Sequence, residues 1–267
     1  MSDAQLPLPG TALAFAPTPT GDGRRVVVSA HGLTSSRADE DANGIFDWSP
    51  VDGGDTMLVR YDARGHGEST GRPEPADYAW TTLADDLLAL IDAVSPDTPV
   101  DAIGASMGTA TIVWAALRRP DRFRRLVLAI PPTAWETRAA QVEGYLAAAA
   151  IAEQYGIDAF VTAMAEQPPA EILTAGGWAD EPKRPSVNID VLPSVLRGAA
   201  ISDLPDTAEL AELTHPTLIL PWATDPGHPV STAEVLADAL AAATLEIAED
   251  PAAIRGWGGR AAEFLRS

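Results

Sequence analysis

Ser106 lies between two glycines in the motif Gly104-Ala105-Ser106-Met107-Gly108. A mostly apolar stretch, Val100–Ile103, precedes the motif, and Thr109–Leu117 follows it with apolar residues at helical spacing. A strand and a helix are therefore predicted on its two sides. A serine at such a turn is typical of a nucleophile elbow, whose tight backbone leaves no room for a Cβ atom at either glycine. The pattern predicts a nucleophilic Ser106 hydroxyl beside a helix N-terminus that can stabilise an oxyanion.

Predicted strands and helices alternate on both sides of this motif. The predicted strands are Thr11–Pro17, Arg25–Ala30, Thr56–Tyr61, Val100–Ile103, Arg125–Ile130, Thr217–Leu220 and Thr244–Ala248, with a turn at Gly21-Asp22-Gly23. Besides the elbow helix, the predicted helices outside residues 133–202 are Trp80–Val94, Thr232–Ala242 and a closing helix at Pro251–Leu265. Such alternation predicts an α/β fold with a mostly parallel sheet covered by helices on both faces.

The strand rhythm stops between Pro132 and Thr214, where helices are predicted at Thr137–Tyr155, Asp158–Glu166 and Pro193–Ala200. This stretch is either a surface excursion or a cap over a pocket. Its place after a strand end and its length favour a cap. So do its aromatic residues, which are Trp135, Tyr145, Tyr155, Phe160 and Trp178. We expect a core domain from residues 1–132 and 203–267 and a helical cap from residues 133–202.

Composition narrows the possible partners. The net charge of −20 argues against nucleic acid and anionic membranes. No cysteine is present, which excludes disulfides and thiolate metal sites. No apolar run approaches the roughly twenty residues of a membrane span, and residues 1–15 lack the basic start of a signal peptide. We expect a cytoplasmic monomer or homodimer that acts on a small molecule without a metal or cofactor.

Three motifs at predicted strand ends resemble the α/β-hydrolase superfamily: His31-Gly32, Arg64-Gly65-His66-Gly67-x-Ser69 and the serine motif at Ser106. Arg119–Phe123 and Leu196–Ala199 add to the likeness, which covers nearly the whole chain. Capped esterases and lactonases, including enol-lactone hydrolases, are the most similar group. The resemblance implies an eight-stranded sheet, a cap inserted after the sixth strand, and a Ser-Asp-His triad in that chain order.

The resemblance also assigns an oxyanion hole and an acid. The hole consists of the backbone amides after the nucleophile and after His-Gly, here Met107 and Leu33. Such fixed donors contribute about 3 kcal/mol each to acyl transfer. The loop Leu218–Pro229 resembles the one that presents the triad acid, which makes Asp225 the carboxylate. Its role is to orient an imidazole and to stabilise the charged form of that ring.

The base does not follow the family pattern. The family places its histidine after the last strand, where this chain has residues 248–253 and no histidine. The four histidines are His31, His66, His215 and His228. The first two lie in turn motifs, and His215 precedes a strand at the edge of the sheet opposite Ser106. His228 follows Asp225 by three residues on a loop about 10 Å across the sheet from the elbow.

Two interpretations of His228 stay open: the general base, or a loop histidine packed by neighbouring prolines. Glu249 and Asp250 are weaker substitutes, because a carboxylate of ordinary pKa is a poor base for serine. We therefore expect a serine hydrolase of a small, fairly apolar carboxylic ester, lactone or thioester, with an atypical Ser106–His228–Asp225 triad. The alternatives are a binding protein that has lost its base, and a lyase or cyclase on the same fold. An imidazole nitrogen within about 3.5 Å of Ser106 favours the enzyme.

Overall fold

The computed structural model describes residues 4–16, 23–179 and 183–267. Within these ranges eight strands form one sheet: β1 Ala4–Leu8, β2 Thr11–Phe15, β3 Arg25–Ala30, β4 Thr56–Tyr61, β5 Val100–Ala105, β6 Phe123–Ala129, β7 Thr217–Leu220 and β8 Ala243–Leu245. The α-helices there are α1 Arg37–Asn43, α2 Trp80–Val94, α3 Met107–Arg118, α4 Arg138–Ala165, α5 Glu171–Gly176, α6 Leu192–Ala200, α7 Thr207–Leu210, α8 Val230–Ala239, α9 Pro251–Arg255 and α10 Trp257–Arg266.

The sheet has the strand order β1-β2-β4-β3-β5-β6-β7-β8. β1 and β2 pair antiparallel at one edge, and the six strands from β4 to β8 in this order run parallel. The carboxyl ends of the parallel strands therefore meet at one edge of the sheet, which we call the carboxyl edge. β7 lies two strands from β5, as expected. The predicted α/β-hydrolase fold class is confirmed.

Helices cover both faces because successive strand residues point to opposite sides. In β3, Val26 and Val28 enter one hydrophobic cluster, whereas Val27 enters the cluster on the other face. Helices α2, α3 and α8 contribute to the first cluster, and α9 and α10 contribute to the second. The rigid two-sided core fixes where each strand ends at the carboxyl edge.

Several boundaries differ from expectation. β1 was not predicted, because Pro7 and half-exposed residues disguise an edge strand, where proline is tolerated. The closing helix is two helices, α9 and α10, separated at Gly256, and the prediction of one helix is wrong. β8 stops at Leu245, although Ala248 still forms a bridge to Trp222. Pro17 and the Gly21-Asp22 part of the predicted turn lie outside the described residues.

The segment between β6 and β7 is helical where it is described. The two predicted helices around Tyr155 run together as α4, which breaks at Gly156, where φ is +82°. Residues of α4 and α6 form a third hydrophobic cluster with Tyr78, and Leu33 packs against it. Tyr155 does not join this cluster, because 66% of its surface is exposed. None of the helices that the structure describes is long and apolar enough to cross a membrane.

Candidate active site

The turn at Ser106 connects β5 to α3 at the carboxyl edge. Ser106 has φ +52° and ψ −111°, a strained conformation for a residue with a side chain. A Cβ atom on Gly104 would lie 2.5 Å from the Gly108 carbonyl carbon, and one on Gly108 would lie 2.0 Å from the Ala30 carbonyl oxygen. The prediction that both positions admit only glycine is confirmed. The strained turn presents the Ser106 hydroxyl directly before the first turn of α3.

The structure brings Ser106, His228 and Asp225 into one hydrogen-bonded chain. His228 Nε2 lies 2.8 Å from Ser106 Oγ, and His228 Nδ1 lies 2.7 Å from Asp225 Oδ2. Because a carboxylate only accepts, Nδ1 carries the proton and Nε2 offers its lone pair to the serine hydroxyl. The distance from His228 Nε2 to Ser106 Oγ is thus below the limit of about 3.5 Å that favours an enzyme over a binding protein.

A tight turn explains how acid and base share one loop. The His228 amide donates to the Asp225 carbonyl at 3.1 Å, which closes a β-turn with Pro226 and Gly227 at its centre. Asp225 Oδ1 accepts from the Gly227 amide at 2.8 Å, as aspartate does at turn starts. The other oxygen, Oδ2, is left for the imidazole. The local sequence Asp-Pro-Gly-His thus folds the acid back against the base.

Hydrogen bonds keep the acid ionised. Burial raises the pKa of the Asp225 carboxyl, but the hydrogen bond and charge of His228, with the bonds from Trp222 and Gly227, lower this pKa to about 2. A carboxylate held ionised beside Nδ1 is suited to stabilising an imidazolium at His228.

The loop after β3 lies against the elbow on its other side. A Cβ atom on Gly32 would lie 3.6 Å from Ser106 Cβ, so the next residue, Leu33, lies beside the nucleophile. No acceptor for the Leu33 amide occurs among the residues with described coordinates. The Met107 amide is the first of α3 and has no partner within the helix. Two backbone donors are therefore available at the elbow.

His31 and His66 hold this loop in place. His31 Nδ1 donates to the Gly32 carbonyl at 2.8 Å, and its Nε2 accepts from the Ala63 amide at 2.9 Å. His66 Nδ1 donates to the Arg64 carbonyl at 2.8 Å, and its Nε2 accepts from the Thr34 amide at 3.3 Å. Burial lowers the pKa of both imidazoles, that of His66 to about 3 with a further contribution from His31. Both rings stay neutral and bind backbone groups.

The remaining candidates lie elsewhere. His215 Nε2 bonds the Pro120 carbonyl beside the start of β7, at the edge opposite Ser106. Glu249 is exposed, and Asp250 caps α9 by accepting from the Ala253 amide. A second Gly-x-Ser-x-Gly match spans residues 67–71, but Ser69 there is buried and bonds the Asp62 carbonyl. The structure brings none of these groups into the hydrogen-bonded chain at Ser106.

Two features of the site have little signal in the sequence. Trp222 donates from its indole nitrogen to Asp225 Oδ2 at 2.8 Å, although a tryptophan after a buried strand ordinarily predicts core. Backbone strain also concentrates here: every non-glycine residue with positive φ in the described ranges follows β3, β5, β6 or β7 at the carboxyl edge. These residues are Thr34, Ser106, Ile130, Trp135 and Thr224. Strain of this kind clusters at functional sites.

The helical segment between β6 and β7 touches both loops beside Ser106. The Ser186 amide donates to the Thr34 carbonyl at 2.8 Å, and the Ile172 amide donates to Thr224 Oγ1 at 3.2 Å. Residues of this segment are thus tied to the loop of Leu33 and to the loop of Asp225. Among the described residues, no group of three or more His, Cys, Asp or Glu side chains could hold a metal ion.

Comparison with known proteins identifies the family of this fold. The family model for the alpha/beta hydrolase fold matches residues 57–251. A 3-oxoadipate enol-lactonase of Acinetobacter baylyi is 26% identical over 200 residues, which cover 72% of this chain and 70% of that protein. An enol-lactonase structure from Burkholderia xenovorans has a TM-score of 0.74 at 22% identity and covers 96% of this chain and 97% of its own. A Thermogutta terrifontis esterase has a TM-score of 0.76 at 21% identity, covering 100% and 97%.

Proposed function

The chain belongs to the alpha/beta hydrolase fold family, and we propose that it is a serine hydrolase acting through Ser106, His228 and Asp225. The observation that carries the proposal is the continuous hydrogen-bonded chain from Asp225 through His228 to Ser106, with distances of 2.7 and 2.8 Å. The Leu33 and Met107 amides form the oxyanion hole. The histidine stands on the β7 loop instead of after the last strand.

In the acylation step, Ser106 Oγ attacks the acyl carbon while His228 Nε2 removes the hydroxyl proton. The carbonyl oxygen becomes an oxyanion, which accepts from the Leu33 and Met107 amides. The imidazolium, stabilised by Asp225, then gives its proton to the leaving oxygen or sulfur, and the bond to the acyl carbon breaks.

In the deacylation step, the same groups act on water. His228 Nε2 takes a proton from a water molecule that attacks the acyl-enzyme carbonyl, and the second oxyanion binds the same two amides. Collapse of this intermediate returns the proton to Ser106 Oγ and releases the carboxylic acid. No residue beyond these five is needed for the proton balance.

The substrate class is a small, fairly apolar carboxylic ester, lactone or thioester. Support comes from the relative described as an enol-lactonase and from the cap of residues 133–202, whose apolar cluster packs on Leu33 beside the nucleophile. The alternative of a binding protein that has lost its base is disfavoured, because an imidazole nitrogen of His228 lies 2.8 Å from Ser106 Oγ.

A fluorophosphonate probe tests the nucleophile directly. We expect wild-type protein to be labelled and Ser106→Ala to remain unlabelled, since the probe reacts with activated serine hydroxyls. Ser69→Ala, at the other Gly-x-Ser-x-Gly match, is the matched control and should label like wild type. A panel of esters, lactones and thioesters then identifies the substrate. Folded wild-type protein that resists several such probes up to alkaline pH contradicts the proposal.

A further inference from the structure

Trp222 contacts both members of the acid–base pair. It lies two residues after β7, and its side chain is buried. Its indole N–H donates to Asp225 Oδ2, the same oxygen that accepts from His228 Nδ1. The indole also meets the His228 ring edge-on, with centroids 6.1 Å apart and an interplanar angle of 88°. One side chain therefore touches the acid and the base together.

The indole is held independently of Asp225. Trp222 is part of an aromatic layer formed by Phe46, Trp48, Trp222 and Trp257. Its ring lies near-parallel to Phe46 at 5.9 Å and to Trp257 at 6.0 Å. Its backbone forms a bridge to Ala248. Packing and backbone pairing thus fix the direction of the indole N–H before the carboxylate binds it.

A fixed donor matters because acid and base are only three residues apart. Asp225 Oδ1 is bonded within the turn by Gly227, and Oδ2 must face His228. Rotation of the carboxyl group would turn Oδ2 away from the imidazole. A second donor on Oδ2, anchored outside the turn, opposes that rotation.

We propose that Trp222 is a positioning residue, which holds the Asp225 carboxylate in the rotation that points His228 Nε2 at Ser106. This inference rests on the proposed function, since it presumes that His228 and Ser106 act together. The aromatic layer is the support from which the indole acts. Through Trp222, the carboxylate of Asp225 and with it the ring of His228 are held by the hydrophobic core.

Trp222→Phe tests the proposal, because phenylalanine retains an apolar ring in the layer but has no donor. We expect kcat to fall about tenfold while KM changes less than about twofold, as for loss of an orienting contact. The acidic limb of the kcat–pH profile should move to higher pH, since a carboxylate with fewer donors stabilises the imidazolium more strongly. Trp48→Phe is the matched control: it alters the same layer without contact to Asp225, and its pH limb should stay at the wild-type position.

The outcomes separate this inference from the proposed function. Labelling of wild-type Ser106 together with an unchanged kcat and pH limb in Trp222→Phe overturns the inference alone. Failure of wild-type Ser106 to label overturns the proposed function first. A shift of the limb in Trp48→Phe equal to that in Trp222→Phe also overturns the inference, because general disturbance of the layer then explains both.

A measurement on the wild-type protein covers the case in which Trp222→Phe does not fold. With ¹⁵N-labelled indoles, one N–H resonance should move as the pH is lowered through the acidic limb of the kcat–pH profile, because a proton on the imidazole changes the bond to Asp225 Oδ2. Asp225→Asn should abolish that movement. If no indole resonance follows the titration, Trp222 does not sense the acid–base pair and the inference is wrong.

Discussion

The two loops beside Ser106 are held in place by different kinds of group, neutral imidazoles in one loop and an ionised carboxylate in the other. The loop of residues 31–36 is fixed by His31 and His66, which are buried, neutral and bonded to backbone groups. The loop of residues 221–229 is fixed by the ionised Asp225, which accepts from side chains and one amide. Neutral imidazoles suit the first loop in its proposed role, which is to offer free N–H groups to an oxyanion. A charged carboxylate suits the second loop in its proposed role, which is to stabilise an imidazolium.

The same difference distinguishes His228 from His31 and His66, although all three imidazoles have the same capacity for hydrogen bonds. Each of His31, His66 and His228 engages both ring nitrogens. Only His228 joins a carboxylate to a hydroxyl, and only it is partly exposed, with 23% of its side chain accessible. A proton-transfer histidine must be able to change charge, and partial exposure with a fixed anion allows that. In His31 and His66, burial outweighs the charge of the nearby Asp62 carboxylate and keeps the pKa low.

Removal of His228 should have the largest effect. We expect His228→Ala to lower kcat by a factor of about 10³ or more, as triad deletions do. The fold should persist, because this side chain is partly exposed and meets the core only at the edge of the Trp222 ring. The measurement is steady-state kinetics with thermal unfolding as the check on folding.

His215→Ala is the matched control for this variant. It removes an imidazole at the opposite edge, where His215 Nε2 bonds the Pro120 carbonyl, and should leave kcat unchanged. Near-full activity of His228→Ala alongside an inactive Ser106→Ala would place the base elsewhere and end the contrast between His228 and the other histidines.

Lowering the pH should remove the contributions of His66 and Asp225 to folding stability in separate pH ranges. The pKa of His66 is lowered from about 6.5 in the unfolded chain to about 3, so its unfolded form binds more protons as pH falls below about 6.5. Its stabilising contribution is complete above that value and declines towards pH 3. For Asp225, with a pKa of about 2 against 3.8, the contribution is complete above pH 3.8 and is lost as pH falls through 2.

His66→Gln makes this difference measurable. The stability gap between wild type and this variant should shrink by about 2 kcal/mol between pH 8 and pH 5, because only the wild type carries the depressed imidazole pKa. Urea unfolding at both pH values gives the gaps. A constant gap for His66→Gln would show that His66 takes up its proton in the folded state.

The sequence predicts the strands of the core better than the groups that tune the site. β3 and β7 agree with expectation to the residue, because runs such as Val26–Val28 are buried on both faces. The elbow at Ser106 follows from its glycines. The assignment of His228 follows only by elimination, and its alignment with Ser106 depends on a turn and on strand order. A resemblance to the family misdirects here, because it places the histidine after β8.

Trp222 shows why the rest could not be predicted. Nothing in the local sequence distinguishes an indole that donates to a carboxylate from one that only fills the core. Its contact depends on the bridge to Ala248 and on rings from residues 46 and 257, which are distant along the chain. The segment of residues 133–202 has a similar limit. Periodicity predicted the helices that became α4 and α6 but not α5. The bonds of this segment to Thr34 and Thr224 are donated by the Ser186 and Ile172 backbone amides, which carry no signal in the sequence.

The smallest expected effect concerns the bond between the proposed cap, residues 133–202, and the loop of residues 221–229. Thr224 has φ +67°, and its Oγ1 accepts from the Ile172 amide. Thr224→Val keeps the shape and the strain but removes the acceptor, so unfolding free energy should fall by about 1 kcal/mol. kcat should change less than about threefold, because Trp222, Gly227 and His228 hold Asp225 without help from the cap.

Thr224→Gly distinguishes the bond from the strain. Glycine also lacks the acceptor, but it adopts positive φ freely, and relief of strain of about 1–3 kcal/mol opposes its entropic cost of about 1 kcal/mol. We therefore expect Thr224→Gly to be at least as stable as Thr224→Val in thermal unfolding. A less stable glycine variant would mean that the backbone at Thr224 stores no strain. A tenfold loss of kcat in the valine variant would mean that the cap, and not the loop itself, orients Asp225. The orientation of Asp225 in the loop of residues 221–229 would then depend on the bond between Thr224 and Ile172. Both loops beside Ser106 bond the proposed cap, since the loop of residues 31–36 accepts from the Ser186 amide.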